Sequence, residues 1–168
     1  MKKNIIIFLI VLSIPLFAQD KNKLIVDESS GKQMLIGICD RTAFTDTNFA
    51  WWFNPEYNNY NVDSVFLKQA GHKLNDYDII VVMGSWCSDS RREMPRLIKI
   101  LDKLNYNQQK LKLICVNRKR EWPEGAIENL DIKLVPTIIF YEMGMEKGRI
   151  VESPKETLEK DILKIVLL

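Results

Sequence analysis

Cys87 lies between an apolar run and a helical pattern, where a thiol can act as a nucleophile. It follows the unbroken apolar run 79–83, which is typical of a strand buried on both faces. From about 90 to 104, apolar residues recur at spacings of three and four, which predicts a helix. Cys87 would then lie at the N-terminus of that helix. Free N–H groups and the helix dipole favour the thiolate there, and the thiolate is the form that attacks a disulfide.

The charged neighbours of Cys87 act on its ionisation in opposite directions. Arg91 and Arg92 lie one turn into the predicted helix and add positive charge, whereas Asp89 adds negative charge. Two cations against one anion, together with the helix dipole, lead us to expect that the thiolate of Cys87 is favoured.

The stretch resembles the active-site motif of the thioredoxin superfamily, in particular the pattern Trp-Cys-x-x-Cys-Arg-x-Glu-x-Pro of its exported TlpA/ResA-like oxidoreductases. The corresponding residues here are Trp86, Cys87, Ser88, Asp89, Ser90, Arg91, Arg92, Glu93, Met94 and Pro95. Ser90 stands where the family has its second, resolving cysteine, so the motif is a monothiol Cys-x-x-Ser. The family also has a cis-proline ahead of a strand, and Val135-Pro136 before the apolar run 137–140 fits that element. The resemblance covers roughly residues 77–168.

The resemblance implies an α/β fold, a thioredoxin-like three-layer sandwich in which a central mixed β-sheet has helices on both faces. It makes Cys87 and Ser90 the candidate catalytic residues, and the active-site turn would consist of these and Trp86, Ser88, Asp89 and Arg91. The Val135–Pro136 bond would line the substrate groove, where the backbone of Val135 offers strand-like hydrogen bonds to a bound peptide. A serine is rarely ionised and does not resolve a disulfide, so we expect Ser90 to donate a hydrogen bond to the Cys87 thiolate.

The hydrophobic pattern predicts the elements that position these motifs. The predicted strands are 24–26, 33–39, 78–83, 110–116, 137–142 and 149–152. The predicted helices are about 62–71, 90–104 and 125–130, and a last helix starts at a capping box of Ser153, Pro154 and Glu156. The unit from 78 to 116 has the order strand, helix, strand. Its two strands should therefore pair in parallel through a right-handed crossover.

The first segment has the features of a secretory signal. Two lysines precede an apolar core at 5–12, and a cleavage site is predicted near Ala18 or Gln19. The apolar core is too short to span a membrane, and no cysteine for a lipid anchor lies near the cleavage site. We expect an exported, periplasmic protein without a stable membrane anchor. The alternative is a membrane anchor formed by an uncleaved signal.

These features divide the chain into a signal peptide at 1–19, an N-terminal extension packed on the core at 20–76, and a thioredoxin-like core at 77–168. The extension contains a segment rich in aromatic rings: Phe44, Phe49, Trp51, Trp52, Phe53, Tyr57 and Tyr60. The rings either pack the extension onto the domain or form a surface near the active site that receives a substrate peptide.

Charge and composition exclude several classes of function. Without residues 1–19 the chain has as many Lys and Arg as its 22 Asp and Glu, so it lacks the excess of basic residues that nucleic-acid binding needs. His72 is the only histidine and the cysteines are not clustered, so we predict no metal site and no cofactor. The resemblance implies cysteine-containing exported proteins or small thiols as partners, with an external thiol as reductant.

Three cysteines leave at least one thiol unpaired within the chain. Cys39 and Cys115 each lie in an apolar, strand-like run. Either both are buried free thiols, or they form a disulfide with each other, or one of them pairs with Cys87.

Three functions remain open from the sequence. The first is a monothiol thiol–disulfide oxidoreductase or isomerase that acts through Cys87. The second is a redox-inactive binding module that holds a partner peptide in the groove at Pro136. The third is a two-cysteine redox protein in which Cys39 or Cys115 resolves the disulfide.

Overall fold

The structure is a computed structural model that describes residues 21–70, 73–122, 125 and 127–167. The predicted signal peptide at 1–19 and His72 lie outside the described residues. Among the helices of the described ranges, none is long and apolar enough to cross a lipid bilayer.

Six strands and four α-helices make up the described chain. The strands are β1 (Lys23–Val26), β2 (Gln33–Cys39), β3 (Asp78–Met83), β4 (Leu111–Cys115), β5 (Thr137–Glu142) and β6 (Met145–Val151). The α-helices are α1 (Thr47–Asn59), α2 (Ser64–Ala70), α3 (Ser88–Lys103) and α4 (Leu158–Val166). Short 3₁₀ turns lie at Arg41–Thr45, Leu74–Asp76, Gln108–Lys110 and Glu128–Leu130.

All six strands join one sheet in the order β1-β2-β4-β3-β5-β6. β3 and β4 pair in parallel, as predicted for the strand–helix–strand unit, and Met83 lies opposite Cys115. Every other neighbouring pair in the sheet is antiparallel. The sheet is therefore mixed, and the predicted α/β class is confirmed. Residues 21–76 contribute two of its strands and two helices, while the boundary predicted at 76 stays a prediction.

Side chains alternate along the central strands and divide the core between the two faces of the sheet. Val81 and Met83 of β3 belong to the larger core, which all four α-helices cover. Val82, between them, belongs to a smaller core on the other face. Trp122, Leu130 and Ile132 pack against this smaller core, and Leu130 belongs to the 3₁₀ turn Glu128–Leu130.

Two predicted helices differ in the structure. The helix predicted at 125–130 is reduced to the 3₁₀ turn, which ends at Asp131 in the left-handed conformation with φ 48°. The last helix begins at Leu158 with Thr157 as its cap, not at Ser153. The N–H of Lys155, which a Ser153 cap would accept, donates instead to the carboxylate of Asp161 at 2.5 Å, and the hydroxyl of Ser153 accepts a hydrogen bond from Arg92 at 2.7 Å.

The aromatic segment forms α1, which packs against α3. Phe44, Trp52 and Phe53 are buried and in ring contact, and the rings of Phe44 and Phe53 stack with centroids 4.6 Å apart. Phe49 joins this cluster against Trp52. Trp51 differs because it is 61% exposed. Most of the segment therefore packs the N-terminal part onto the domain, and Trp51 is left at the surface.

Candidate active site

The predicted nucleophile Cys87 is the N-cap residue of α3 and is partly exposed. Its backbone is extended, with φ −84° and ψ 131°. Its N–H donates to the carbonyl of Gly84 at 2.9 Å, and its own carbonyl accepts from the N–H of Arg91 at 3.0 Å. The thiol therefore stands at the end of α3 that carries free N–H groups and the positive end of the dipole.

The cis-proline segment contacts the sulfur atom of Cys87. The peptide bond between Val135 and Pro136 is cis. The Cys87 thiol donates a hydrogen bond to the carbonyl oxygen of Val135 at 3.2 Å, across 48 positions of the chain. Antiparallel pairing of β3 with β5 brings the two segments side by side. The structure thus places the candidate nucleophile next to the candidate substrate groove.

Trp86 closes one side of the turn. Its indole N–H donates to the carbonyl of Val116 at 3.0 Å, and the guanidinium of Arg118 lies 5.1 Å from the ring centroid. A Cβ on Gly84 would come within 2.5 Å of the indole, so a glycine is needed for the ring to occupy this place. The sequence placed Trp86 in the active-site turn, and the structure shows that it packs the turn against the smaller core.

A buried carboxylate that the sequence analysis did not single out anchors Arg118. Asp27 is 3% exposed and accepts three hydrogen bonds from Arg118 at 2.8–2.9 Å. The hydroxyl of Ser30 donates to the same carboxylate. The bonds from Arg118 and then Ser30 hold the pKa of Asp27 well below its usual range, and the pair raises the pKa of Arg118. Asp27 and Arg118 are 91 positions apart, and no local pattern could have linked them.

Arg91 is the second guanidinium at the turn. Its Nε–H donates to the carbonyl of Ser85 at 2.7 Å, and its guanidinium lies 5.5 Å from the ring centroid of Trp51. Burial lowers the pKa of Arg91, a thiolate at Cys87 raises it, and the charge of Arg118 lowers it. Arg118 and the sulfur of Cys87 therefore both lie close enough to Arg91 to act on it electrostatically.

The remaining motif residues have more local roles. Ser90 is fully buried, and its hydroxyl accepts a hydrogen bond from the N–H of Gly84 at 3.2 Å. In the structure this hydroxyl therefore holds the turn between β3 and α3, where we had expected it to bond the Cys87 thiolate. Asp89 pairs with Arg92 at 2.8 Å, which partly compensates its negative charge, and Ser88 is exposed.

The other two cysteines lie on the opposite face of the sheet from Cys87. Cys39 and Cys115 are free, buried, and part of the larger core under the helices. Cys87 packs against the smaller core on the other face. A hydrogen bond between the two buried thiols and their burial raise the pKa of Cys115. The sheet separates both from Cys87, which argues against a resolving role for either.

The part of the chain that the structure describes contains no group of three or more His, Cys, Asp or Glu side chains arranged to hold a metal ion. The chemistry available at the site is that of one partly exposed thiol, two nearby guanidinium groups and a backbone carbonyl in hydrogen-bond contact with the sulfur.

Comparison with solved structures supports the fold that the strand order and the cis peptide bond beside the turn indicate. A protein of unknown function from Pseudomonas aeruginosa aligns with a TM-score of 0.50 and 16% identity, over 70% of this chain and 81% of that one. The fold is thioredoxin-like. Thioredoxin from Fasciola hepatica aligns with a TM-score of 0.39 and 15% identity, over 60% of this chain and 86% of that one. Thioredoxin O1 from Arabidopsis thaliana aligns with a TM-score of 0.39 and 20% identity, over 60% of this chain and 85% of that one. No protein-family model and no curated protein matches the chain.

Proposed function

We propose that this chain is an exported monothiol protein of thioredoxin fold that exchanges thiols and disulfides, in reduction or isomerisation, through Cys87. The observation that carries the proposal is the contact between the partly exposed Cys87 sulfur and the carbonyl of Val135, 3.2 Å apart beside the cis peptide bond. A peptide lying along Val135 and Pro136 in an extended conformation would bring its own sulfur to Cys87.

The chemistry needs one sulfur of the protein and two of the substrate. The Cys87 thiolate attacks one sulfur of a substrate disulfide, a new sulfur–sulfur bond forms, and the substrate's own sulfur–sulfur bond breaks. The leaving thiolate takes a proton from water. Ser90 contains no sulfur and is buried, so the mixed disulfide on Cys87 is released by a second thiol. An external thiol gives reduction, and a second thiol of the substrate gives isomerisation.

Cys87 is the N-cap of α3, so the negative charge that its sulfur carries during exchange would lie at the helix end with free N–H groups. Arg91 places a cation at the same turn, because its N–H donates to the carbonyl of Cys87 and its Nε–H donates to the carbonyl of Ser85.

Trapping the mixed disulfide tests the proposal. Native protein incubated with 2-hydroxyethyl disulfide should gain one adduct by mass spectrometry, and Cys87→Ser should gain none. Cys39→Ala is the matched control and should keep the adduct, since Cys39 is buried on the other face. A wild-type protein that stays unmodified, or a Cys87→Ser protein that still gains the adduct, would refute exchange through Cys87.

Restoring the family's second cysteine provides a sharper version of the test. In wild type the adduct on Cys87 should persist until an external thiol is added. In Ser90→Cys a second thiol lies three residues away on the same turn, and the adduct should be lost without added thiol as an intramolecular disulfide forms. Equal persistence of the adduct in both proteins would contradict the role proposed for position 90.

A redox-inactive binding module is the second candidate, and the burial of Ser90 with its hydroxyl bonded to Gly84 favours it, since nothing in the turn can complete a catalytic cycle. Cys87→Ala separates the two. If wild type has exchange activity and Cys87→Ala loses it, the protein is catalytic. If wild type has no exchange activity and Cys87→Ala captures a partner peptide as well as wild type does, the protein is a binding module.

We also propose that the protein is exported to the periplasm. Its partners there would be cysteine-containing exported proteins or small thiols, and an external thiol would reset Cys87. The signal-like residues 1–19 support this. Cell fractionation with N-terminal sequencing should find a periplasmic protein that starts near residue 20. A full-length cytoplasmic protein would refute export.

A further inference from the structure

The two guanidinium groups at the Cys87 turn differ in their neutralisation. Arg118 is held by the buried carboxylate of Asp27. Arg91 donates to the backbone carbonyl of Ser85 and lies over the ring of Trp51, but no carboxylate pairs with it across the residues that the structure describes. A partly buried cation without an anion is costly, and burial accordingly lowers the pKa of Arg91. The site therefore has one uncompensated positive charge.

This charge faces a pocket next to the turn. A cavity of about 420 Å³ is lined by Arg91, the exposed indole of Trp51, the exposed Lys32 and five uncharged residues. The lining thus contains two cationic side chains and no acidic one. Arg91 connects the cavity to the nucleophile, because its N–H bonds to the carbonyl of Cys87 and its Nε–H bonds to that of Ser85.

We propose that this pocket binds a carboxylate carried by the disulfide substrate and so selects acidic substrates for attack by Cys87. The inference rests on the proposed exchange function and deepens it. Arg91 binds the carboxylate, Lys32 adds charge at the rim, and the indole of Trp51 packs against the substrate's apolar part. The exchange step is unchanged: one sulfur–sulfur bond forms at Cys87, one breaks in the substrate, and the leaving thiolate takes a proton from water.

A charge series of small disulfides tests the pocket. The probes are 3,3′-dithiodipropionate (anionic), 2-hydroxyethyl disulfide (neutral) and cystamine (cationic), and the measurement is the rate of adduct formation at Cys87. Each rate is divided by that of a free small thiol, which removes intrinsic differences among the probes. The anionic-to-neutral ratio should fall about fivefold in Arg91→Gln, the equivalent of one close charge pair in water. The ratio is the readout because a change in the ionisation of Cys87 alters both rates equally.

Two further variants make the test specific. Lys99→Gln removes the same charge two turns further along α3, from a side chain that bonds to the carbonyl of Asn58 and does not line the pocket, and should leave the ratio unchanged. Lys32→Gln alters an exposed side chain and should lower the ratio in the same direction by a smaller factor. It also keeps the proposal testable if Arg91→Gln does not fold.

The outcomes distinguish the pocket from the exchange function itself. If no probe reacts with wild type, the exchange function fails. If all probes react and the ratio is the same in wild type, Arg91→Gln and Lys32→Gln, exchange stands and the carboxylate pocket is refuted. Disulfides of cysteinyl peptides with Glu or Gln beside the cysteine form a second arm. If the Glu peptide also reacts faster than the Gln peptide, the carboxylate belongs to an acidic protein segment. If the preference is seen only among the small disulfides, the carboxylate belongs to a small acidic thiol compound.

Discussion

Replacing Gly84 with alanine tests how the turn ahead of Cys87 is built. The added Cβ would lie 2.5 Å from Cε2 and 2.7 Å from Nε1 of Trp86, distances that real atoms do not adopt. The backbone of Gly84 does not lie in the left-handed region, so alanine meets no conformational penalty there. The indole would have to move, and its hydrogen bond to the carbonyl of Val116 at 3.0 Å would be lost.

These contacts set the size of the expected effect. Overpacking at a well-filled site costs about 1–3 kcal/mol, and a lost hydrogen bond about 1 kcal/mol. Against this, replacing glycine at a compatible position gains about 0.5 kcal/mol by restricting the unfolded chain. We expect Gly84→Ala to lower the free energy of unfolding by about 1.5–3.5 kcal/mol. Urea denaturation followed by far-ultraviolet circular dichroism measures this without depending on tryptophan fluorescence.

A double-mutant cycle with Trp86→Ala isolates the cause. Without the indole, Gly84→Ala should be neutral or stabilising by up to about 1 kcal/mol, because only the effect on the unfolded chain remains. Gly31→Ala is a contrasting control: nothing lies within 4 Å of its added Cβ, but its φ is +69°, so it should show backbone strain in both backgrounds. If Gly84→Ala costs the same with and without the indole, the close packing of Gly84 against Trp86 is not the reason.

Two further predictions concern buried carboxylates away from the sulfur. The folded-state pKa of Asp27 lies below its unfolded value of about 3.9, so its contribution to stability is present above that pH and is lost as the pH falls further. The difference in urea stability between wild type and Asp27→Asn should therefore be larger at pH 7 than at pH 3, and an equal difference at both would contradict the pairing with Arg118. Tyr60→Phe removes a 2.7 Å hydrogen bond to the buried carboxylate of Glu159 and should cost about 1–2 kcal/mol. Tyr57→Phe removes a hydrogen bond to Asp102, a more exposed carboxylate that also pairs with Arg41, and should cost less. The reverse order in thermal unfolding would refute this account.

Much of the regular structure could be predicted because it depends on local periodicity. The strands 33–39, 78–83 and 137–142 have the predicted bounds, and α3 begins two residues before its predicted start. An apolar run of strand length and a 3.6-residue repeat each need only a dozen neighbouring residues to be recognised. The start predicted for the last helix was wrong: the N–H of Lys155 donates to Asp161, and the hydroxyl of Ser153 accepts from Arg92, 61 positions away.

The sequence by itself determined the position of the candidate nucleophile. A cysteine after an apolar strand and before an amphipathic helix lies at the helix N-terminus in any fold that forms both elements. The residue ahead of Pro136 was likewise identifiable from the motif, although its contact with the Cys87 sulfur depends on the pairing of β3 with β5.

Only the tertiary structure decided what surrounds that sulfur. Sheet register places Cys39 and Cys115 on the far face of the sheet. Packing of separate segments pairs Arg118 with Asp27, whereas no carboxylate of the described residues pairs with Arg91. The physical reason is that electrostatic and steric contacts act through space at a few ångströms, between groups whose separation along the chain carries no periodic signal. Helix and strand periodicity depends on neighbouring residues, whereas the surroundings of an atom depend on the tertiary packing of distant segments.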